Sequence, residues 1–340
     1  IEAYDRNRRA SIFRRDQTAY SAWDGVFLRG ESDACQKSPE FPVTDLESYA
    51  VCPFRYWLQK VLKVTPVEEP ELVVEIPPHV IGSIIHKVLE EIYGEVIVGK
   101  EIGDVIENIY NIQEIARQKL QIEADSWRRK CPAPQVIWDL AVSVMETRLS
   151  NFLRNDLAEL SGIKVISTEK RISEDLVFGE GSETLSVKIK GSIDRIDELA
   201  DGKSIRIIDY KTGSTSTKPE ELRGGQRLQL PLYLKAMLKN SSGIDPNSSI
   251  AEYVQIKPDG VNKRYGISGQ MLVDRDEDLR RILRFITNGI TNRYFPPIPE
   301  DSNCQSCPVS SACNRLSRMK YFNVTEDSQI EALVSLRGIN

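Results

Sequence analysis

An α/β fold with a mixed central sheet flanked by helices is what this sequence predicts, and three observations carry the prediction. Apolar residues recur at helical spacing from Val80 to about residue 155, and after about residue 164 the period falls to two. The two-residue patterns follow one another across Ala200-Asp-Gly-Lys203, which is the chemistry of a tight antiparallel turn. A helical pattern and another strand come next, so the sheet extends beyond a simple meander.

Residues 1–41 are polar, with five arginines by residue 15, and are expected to be a linker or the edge of a preceding domain. The chain starts at Ile1 and its first methionine is Met145, which predicts a C-terminal piece of a longer polypeptide. In FPVTDLESYAVCPFRYWLQKVL, Thr44 or Asp45 is the expected helix cap and Glu47 falls in the first turn. Pro53 should break or restart that helix just after Cys52. Ile81, Ile84, Ile85, Val88, Leu89 and Ile92 make one apolar face of a helix that also carries His86.

Residues 102–155 continue as an inserted helical block. Strands are expected at Lys164–Ile172, Leu185–Leu199 and Ser204–Lys211, then a helix at Leu222–Leu238. Pro231 is tolerable only in a first turn, which puts the regular start of that helix near Gln229. A strand at Ala251–Lys257 and a helix at Arg275–Asn292 lead into a cysteine-rich tail. One domain over 42–325 and a tail over 326–340 are expected, with no internal repeats.

Composition excludes several classes. A net charge of −5 means that any nucleic acid must be met by a local groove rather than a global field. Two histidines, His79 and His86, are too few for a multi-histidine zinc hydrolase and disfavour a Ser-His-Asp machine. Six unevenly placed cysteines do not make a secreted disulfide scaffold, and no apolar run reaches membrane-spanning length or resembles a signal peptide. A reducing, cytoplasmic setting without membrane contact is expected. No G-x-x-x-x-G-K-[ST] motif occurs, so a nucleotide-driven motor would have to lie elsewhere.

The chemistry resides in a few side chains. Residues two apart on a strand share a face, so Asp209 and Lys211 project together where IRIIDYK ends. The turn at Asp201-Gly202 would bring Asp194, at the end of GSID, beside them. Two converging carboxylates are the donor set for Mg2+ or Mn2+, and His86 is a softer candidate ligand that suits Mn2+ better. Such an ion acidifies bound water and neutralises charge growing on a phosphoryl oxygen, with Lys211 assisting. Gln229 and Tyr233 lie four apart, on one helix face, and could hold a phosphate or the lysine. Glu169 is a further acidic candidate. Each feature alone has an ordinary reading: a solvated strand end, a core histidine, a core tyrosine. Their joint order is what points to hydrolysis.

Cys304, Cys307 and Cys313 follow a C-x2-C-x5-C spacing, and Cys52 is the fourth thiol, far upstream. Four thiolates suit tetrahedral Zn2+ or a [4Fe-4S] cluster, and chemistry alone leaves both open. Either would close a very long loop. Cys35 and Cys131 show no evident partner.

The ordered set GSIIH, GSID, IIDYKTG and QLPLY, framed by CPFRYW and CQSCPVSSAC, resembles the RecB-like branch of the PD-(D/E)XK nuclease superfamily, in particular its AddB-type iron–sulfur nuclease domains. The resemblance covers about 42–320. It implies a PD-(D/E)XK core with an inserted helical block, metal binding by His86, Asp194 and Asp209, and Lys211 as catalytic lysine with Gln229 and Tyr233 as accessory pair. For Cys52, Cys304, Cys307 and Cys313 it implies a [4Fe-4S] cluster, in preference to Zn2+, joining the N- and C-terminal parts. DNA as substrate, a helicase partner subunit of AddA type and a role in double-strand-break repair follow from the same likeness. The competing expectations are a stand-alone RecB-like exonuclease of the kind associated with CRISPR adaptation, and a non-catalytic DNA-end-binding scaffold.

Overall fold

The structure is a computed structural model that describes residues 25, 39–65, 75–100, 102–160, 162–213, 218, 221–239, 243–257, 262–310, 312–313, 335–336 and 338. The expected lead-in and tail, and Cys35, fall almost wholly outside the described residues.

Among the described residues, six strands form one sheet in the order β1-β3-β4-β5-β6, with β2 on the far side of β3. They are β1 (Phe41–Pro42), β2 (Lys164–Phe178), β3 (Leu185–Glu198), β4 (Ile205–Lys211), β5 (Ile250–Gln255) and β6 (Lys263–Ser268). β2, β3 and β4 are the antiparallel meander the sequence predicts. β5 runs parallel to β4, β6 antiparallel to β5, and β1 parallel to β3, so the sheet is mixed as expected. β2 extends past the predicted Ile172 because Leu176 and Phe178 keep the inward alternation going. β6 and β1 escaped sequence reading. Only Ile267 of KRYGIS is buried, and two residues of β1 carry no period.

Before the meander come α1 (Val43–Val51), α2 (Pro53–Tyr56), α3 (Pro78–Glu91), α4 (Ile102–Glu107), α5 (Ile109–Arg128) and α6 (Gln135–Ala158). The cap of α1 lies two or three residues ahead of the expected one: Pro42, already paired to β3, is the N-cap and no side chain caps the helix. Pro53 does restart the chain as a helix, which ends in a π-helical turn at Trp57–Val61. After β4 come α7 (Gln229–Lys239), α8 (Gly269–Asp274), α9 (Asp276–Thr291) and α10 (Asp301–Gln305). The expected helix from Leu222 is interrupted, because Arg223, Gly224 and Gly225 all take positive φ (44°, 61° and 96°) and only α7 proper is regular.

Both faces of the sheet are covered. α1, α7, α8 and α9 pack one face against Ile189, Ile193, Ile205 and Ile207. The helical block α3–α6 covers the other through Ile208, Tyr210, Val254 and Ile256. Alternate residues of β4 thus serve two separate cores, which is the pattern of a sheet buried on both sides. Within the second core lies an ionic network whose centre, Arg195, Asp156 and Asp197, is fully buried. Arg195 reaches Asp156 at 2.6 Å and forks onto Asp197 at 2.7 and 2.8 Å, while Arg206 meets Asp197 at 2.7 Å. Arg264 and the Tyr93 hydroxyl complete the shell of Asp156, and Arg195 lies 4.2 Å above the Tyr93 ring. Burial pushes the Asp156 carboxyl up, but Arg195 and Arg264 outweigh it and bring it down to about 2.

Candidate active site

The candidate site lies where β3 and β4 part. Ladder pairing ends at Arg195↔Ile208, and the next step of that register sets Asp194 opposite Asp209. There the Tyr210 backbone N–H donates to Asp194 Oδ2 at 2.8 Å, so a carboxylate replaces a ladder carbonyl. His86 arrives from α3, with Nδ1 3.3 Å from the same oxygen and its ring edge-on to Tyr210. Gly82, one turn earlier, packs close to the end of β4: a Cβ there would sit 3.2 Å from Thr212 Oγ1.

From the other side of the sheet come Lys211, Gln229 and Tyr233. Lys211 forms an ion pair with Asp209, donates to Gln229 Oε1 at 3.2 Å and holds its ammonium 5.0 Å from the Tyr253 ring centre. Tyr233 lies against β3 at Gly191, where a Cβ would come within 2.5 Å of the phenol oxygen. The glycine of GSID therefore makes room for the tyrosine of QLPLY. Glu169 joins from β2, accepting from Ser192 Oγ at 2.8 Å with a strained φ of 44°. All five residues expected on the site, together with His86, are brought to this one place.

Sequence reading missed two contributors. Tyr253 is set beside Asp209 by the parallel β4–β5 register. Glu47, expected only as a first-turn acid of α1, accepts the backbone N–H groups of Leu228 and Gln229 at 2.7 and 3.0 Å. No local sequence signal reveals either, since both act across the fold.

The charge balance is lopsided. Glu47, Glu169, Asp194 and Asp209 face one ammonium and one imidazole. Burial, and then the neighbouring Asp209, push the Asp194 carboxyl well above its usual range. Burial likewise carries Glu47 up to about 7 against the pull of its two amides. Burial lowers the His86 imidazole, with Lys211 acting the same way, and so favours its neutral, ligating form. Burial opposes the Lys211 charge, but Asp209 outweighs it and keeps the ammonium protonated.

The four thiols are brought to one other place. Cys52, Cys304, Cys307 and Cys313 line one pocket together with Phe54, Ile298 and Val309. Burial raises the Cys52 thiol, while backbone N–H groups of Ile298, Arg55 and Phe54 point at its sulfur and oppose the rise. Donors aimed at a sulfur suit a metal-bound thiolate. Cys131, by contrast, is packed among helices of the second core. Among the described residues, no three His, Cys, Asp or Glu side chains are gathered closely enough to hold a metal ion as a group. The donor sets fit metals in their chemistry: hard oxygens with unbalanced charge at the first site, soft sulfurs at the second. Among the described residues, no helix is long and apolar enough to cross a membrane.

A mixed sheet with an Asp-x-Lys strand end, a facing aspartate and a helix on either side defines a nuclease-type core, and the family comparison agrees. The PD-(D/E)XK nuclease superfamily matches residues 40–314, and the chain belongs to that superfamily. Among curated proteins, the B-type subunit of the ATP-dependent helicase/deoxyribonuclease of Clostridioides difficile strain 630 is 29% identical over 223 residues, 62% of this chain and 18% of the relative. The proteins of the same name from Clostridium perfringens strain SM101 and Thermoanaerobacter sp. strain X514 are 28% and 27% identical, over 61% and 65% of this chain and 18% and 19% of theirs. The chain thus spans about a fifth of the length of the curated relatives it matches. These likenesses agree with the resemblance to AddB-type domains read from the motifs.

Proposed function

We propose that this domain is a divalent-cation-dependent deoxyribonuclease that hydrolyses DNA phosphodiester bonds, working as the nuclease part of a helicase–nuclease that processes double-strand ends. The observation that carries the reading is the surplus of buried carboxylate around one lysine. Such a surplus is costly unless a cation neutralises it. Asp194 and Asp209, with His86 beside them, would hold Mg2+ or Mn2+, which when bound acidifies water and offsets phosphoryl charge.

The chain's own groups have distinct parts. The Lys211 ammonium, kept charged by Asp209, cannot serve as the base. It donates hydrogen bonds to the attacking water or to a phosphoryl oxygen. Gln229 Oε1 fixes the direction of that ammonium, and the Tyr253 face limits its swing. Tyr233, whose phenol burial keeps protonated, can donate to a phosphate oxygen over Gly191. Asp194, whose neutral form burial favours, would bind such a cation as the carboxylate.

Cys52, Cys304, Cys307 and Cys313 are proposed to hold a [4Fe-4S] cluster that ties the Cys52 segment to the C-terminal part, with Zn2+ as the alternative. The relatives' names describe one subunit of a helicase/deoxyribonuclease, which supports DNA as substrate and an AddA-type motor protein as partner.

Cleavage of end-labelled single- and double-stranded DNA with Mg2+ or Mn2+ tests the reading, alongside a visible absorption spectrum. Lys211→Ala should lower cleavage on the order of 10^2–10^3-fold and keep the fold, and Cys304→Ser should remove the visible absorption. Wild-type activity in Lys211→Ala refutes the mechanism. A colourless protein holding one zinc after anaerobic purification refutes the iron assignment.

A further inference from the structure

α7 begins without a cap of its own. The residue before Gln229 is Leu228, fully buried and unable to accept a hydrogen bond through its side chain. The chain reaches it through Arg223, Gly224 and Gly225, all at positive φ, so the preceding loop turns sharply and does not lead into the helix. Free N–H groups at a helix start need a partner, and an anion is the favoured one. That partner comes from a distant element: Glu47 of α1 takes the N–H groups of both Leu228 and Gln229 through one oxygen.

α1 is well placed to act as a fixed support. Tyr49 donates from its hydroxyl to the Tyr294 carbonyl at 2.6 Å, and Gly289 of α9 lies so close to that phenol that a Cβ would be 2.0 Å away. Gly225 packs on Ala50 of the same helix. Downstream of the two amides, the Gln229 side chain accepts from Lys211 Nζ. A continuous path therefore runs from α1 through one carboxylate and one helix turn to the lysine.

We propose that Glu47 is a positioning residue for the nuclease reaction: from α1 it fixes the first turn of α7 so that Gln229 holds the Lys211 ammonium in its working direction. This rests on the function proposed above and deepens it. Glu47 touches neither substrate nor the reacting atoms, and its effect passes through Gln229. The charge of the carboxylate is secondary, because a neutral carbonyl oxygen in the same place accepts the same two N–H groups.

The test compares Glu47→Gln with Glu47→Ala in the intact chain. Glu47→Gln should keep kcat within about threefold of wild type, while Glu47→Ala loses about 10- to 100-fold in kcat with KM for DNA changed less than about threefold. Combined with Gln229→Ala, Glu47→Ala should cost little more than Gln229→Ala alone, because both break one path. Hydrogen exchange at the Leu228 and Gln229 amides should quicken at least about tenfold in Glu47→Ala and stay slow in Glu47→Gln. A Glu47→Gln variant as inactive as a Lys211 variant, or additive losses in the double variant, overturns the inference. If Glu47→Ala does not fold, Glu47→Gln and Gln229→Ala still decide it through kcat. Unchanged exchange in Glu47→Ala overturns it whether or not the domain cuts DNA, whereas a wild type that never cuts DNA with either cation removes the proposed function alone.

Discussion

Two charged clusters stand back to back on the same pair of strands, and they are built on opposite terms. On the helical-block face, Arg195, Arg206 and Arg264 meet Asp156 and Asp197, and the carboxyl of Asp156 falls to about 2. Next to Arg195 on β3 and three residues beyond Arg206 on β4, Asp194 and Asp209 share a site with Glu47 and Glu169, and the carboxyls of Asp194 and Glu47 rise. The first cluster is complete in itself. The second is short of positive charge, which is the electrostatic form of a site that waits for a cation. Strand alternation is what keeps them apart, since Arg195 and Tyr210 turn away from the face that Asp209 and Lys211 share.

The largest expected effect lies in the complete cluster. Arg195→Ala leaves two fully buried carboxylates without their common partner and should lower stability by about 3–5 kcal/mol, read by denaturant unfolding. An unchanged midpoint would show that this network is not the brace it looks to be. Lys211→Ala in the other cluster should instead leave a folded protein and lower DNA cleavage on the order of 10^2–10^3-fold, read by single-turnover kinetics. That contrast of stability against activity is the sharpest difference between the two faces.

The pH response should separate them next. Glu47 has a folded value of about 7 against an ordinary 4.5, so the folded state holds a proton that the unfolded chain releases. Its contribution is fully present below about 4.5 and is lost as pH rises towards 7. The full shift corresponds to roughly 3 kcal/mol, which solvent access at this half-buried position reduces to about 1–2 kcal/mol. Asp156 has the reverse sign: its stabilisation is complete above its ordinary 3.8 and is lost as pH falls towards 2. Denaturation in EDTA across pH 4.5–7 should show the fall in wild type and a flatter line in Glu47→Gln. The smallest effect is at Tyr253, where Tyr253→Leu removes a buried ring beside the Lys211 ammonium and should slow cleavage about two- to fivefold.

Much of the site was legible in the sequence, and the reason is local. His86, Asp194, Asp209, Lys211, Gln229 and Tyr233 each sit in a short motif whose element could be read from periodicity. Helix spacing places His86 one turn from Gly82, and strand spacing pairs Asp209 with Lys211. The complete cluster is illegible in the sequence, although Arg195 and Asp197 closely follow Asp194. A buried arginine on a strand looks like an exposed one until Asp156, 39 residues earlier, is brought against it. Glu47 hid in the same way, 181 residues from the amide it caps. The positive-φ run at Arg223–Gly225 also broke a helix that the apolar pattern joined, because periodicity does not report backbone handedness.

The most direct measurement is cleavage of end-labelled DNA by wild type and Asp209→Asn, each titrated with Mg2+ or Mn2+ from an EDTA-treated start. No cleavage is expected without cation, saturable cleavage as cation is added to wild type, and none with Asp209→Asn, whose fold persists. Cleavage in EDTA, or equal cleavage by the two proteins, would contradict this expectation.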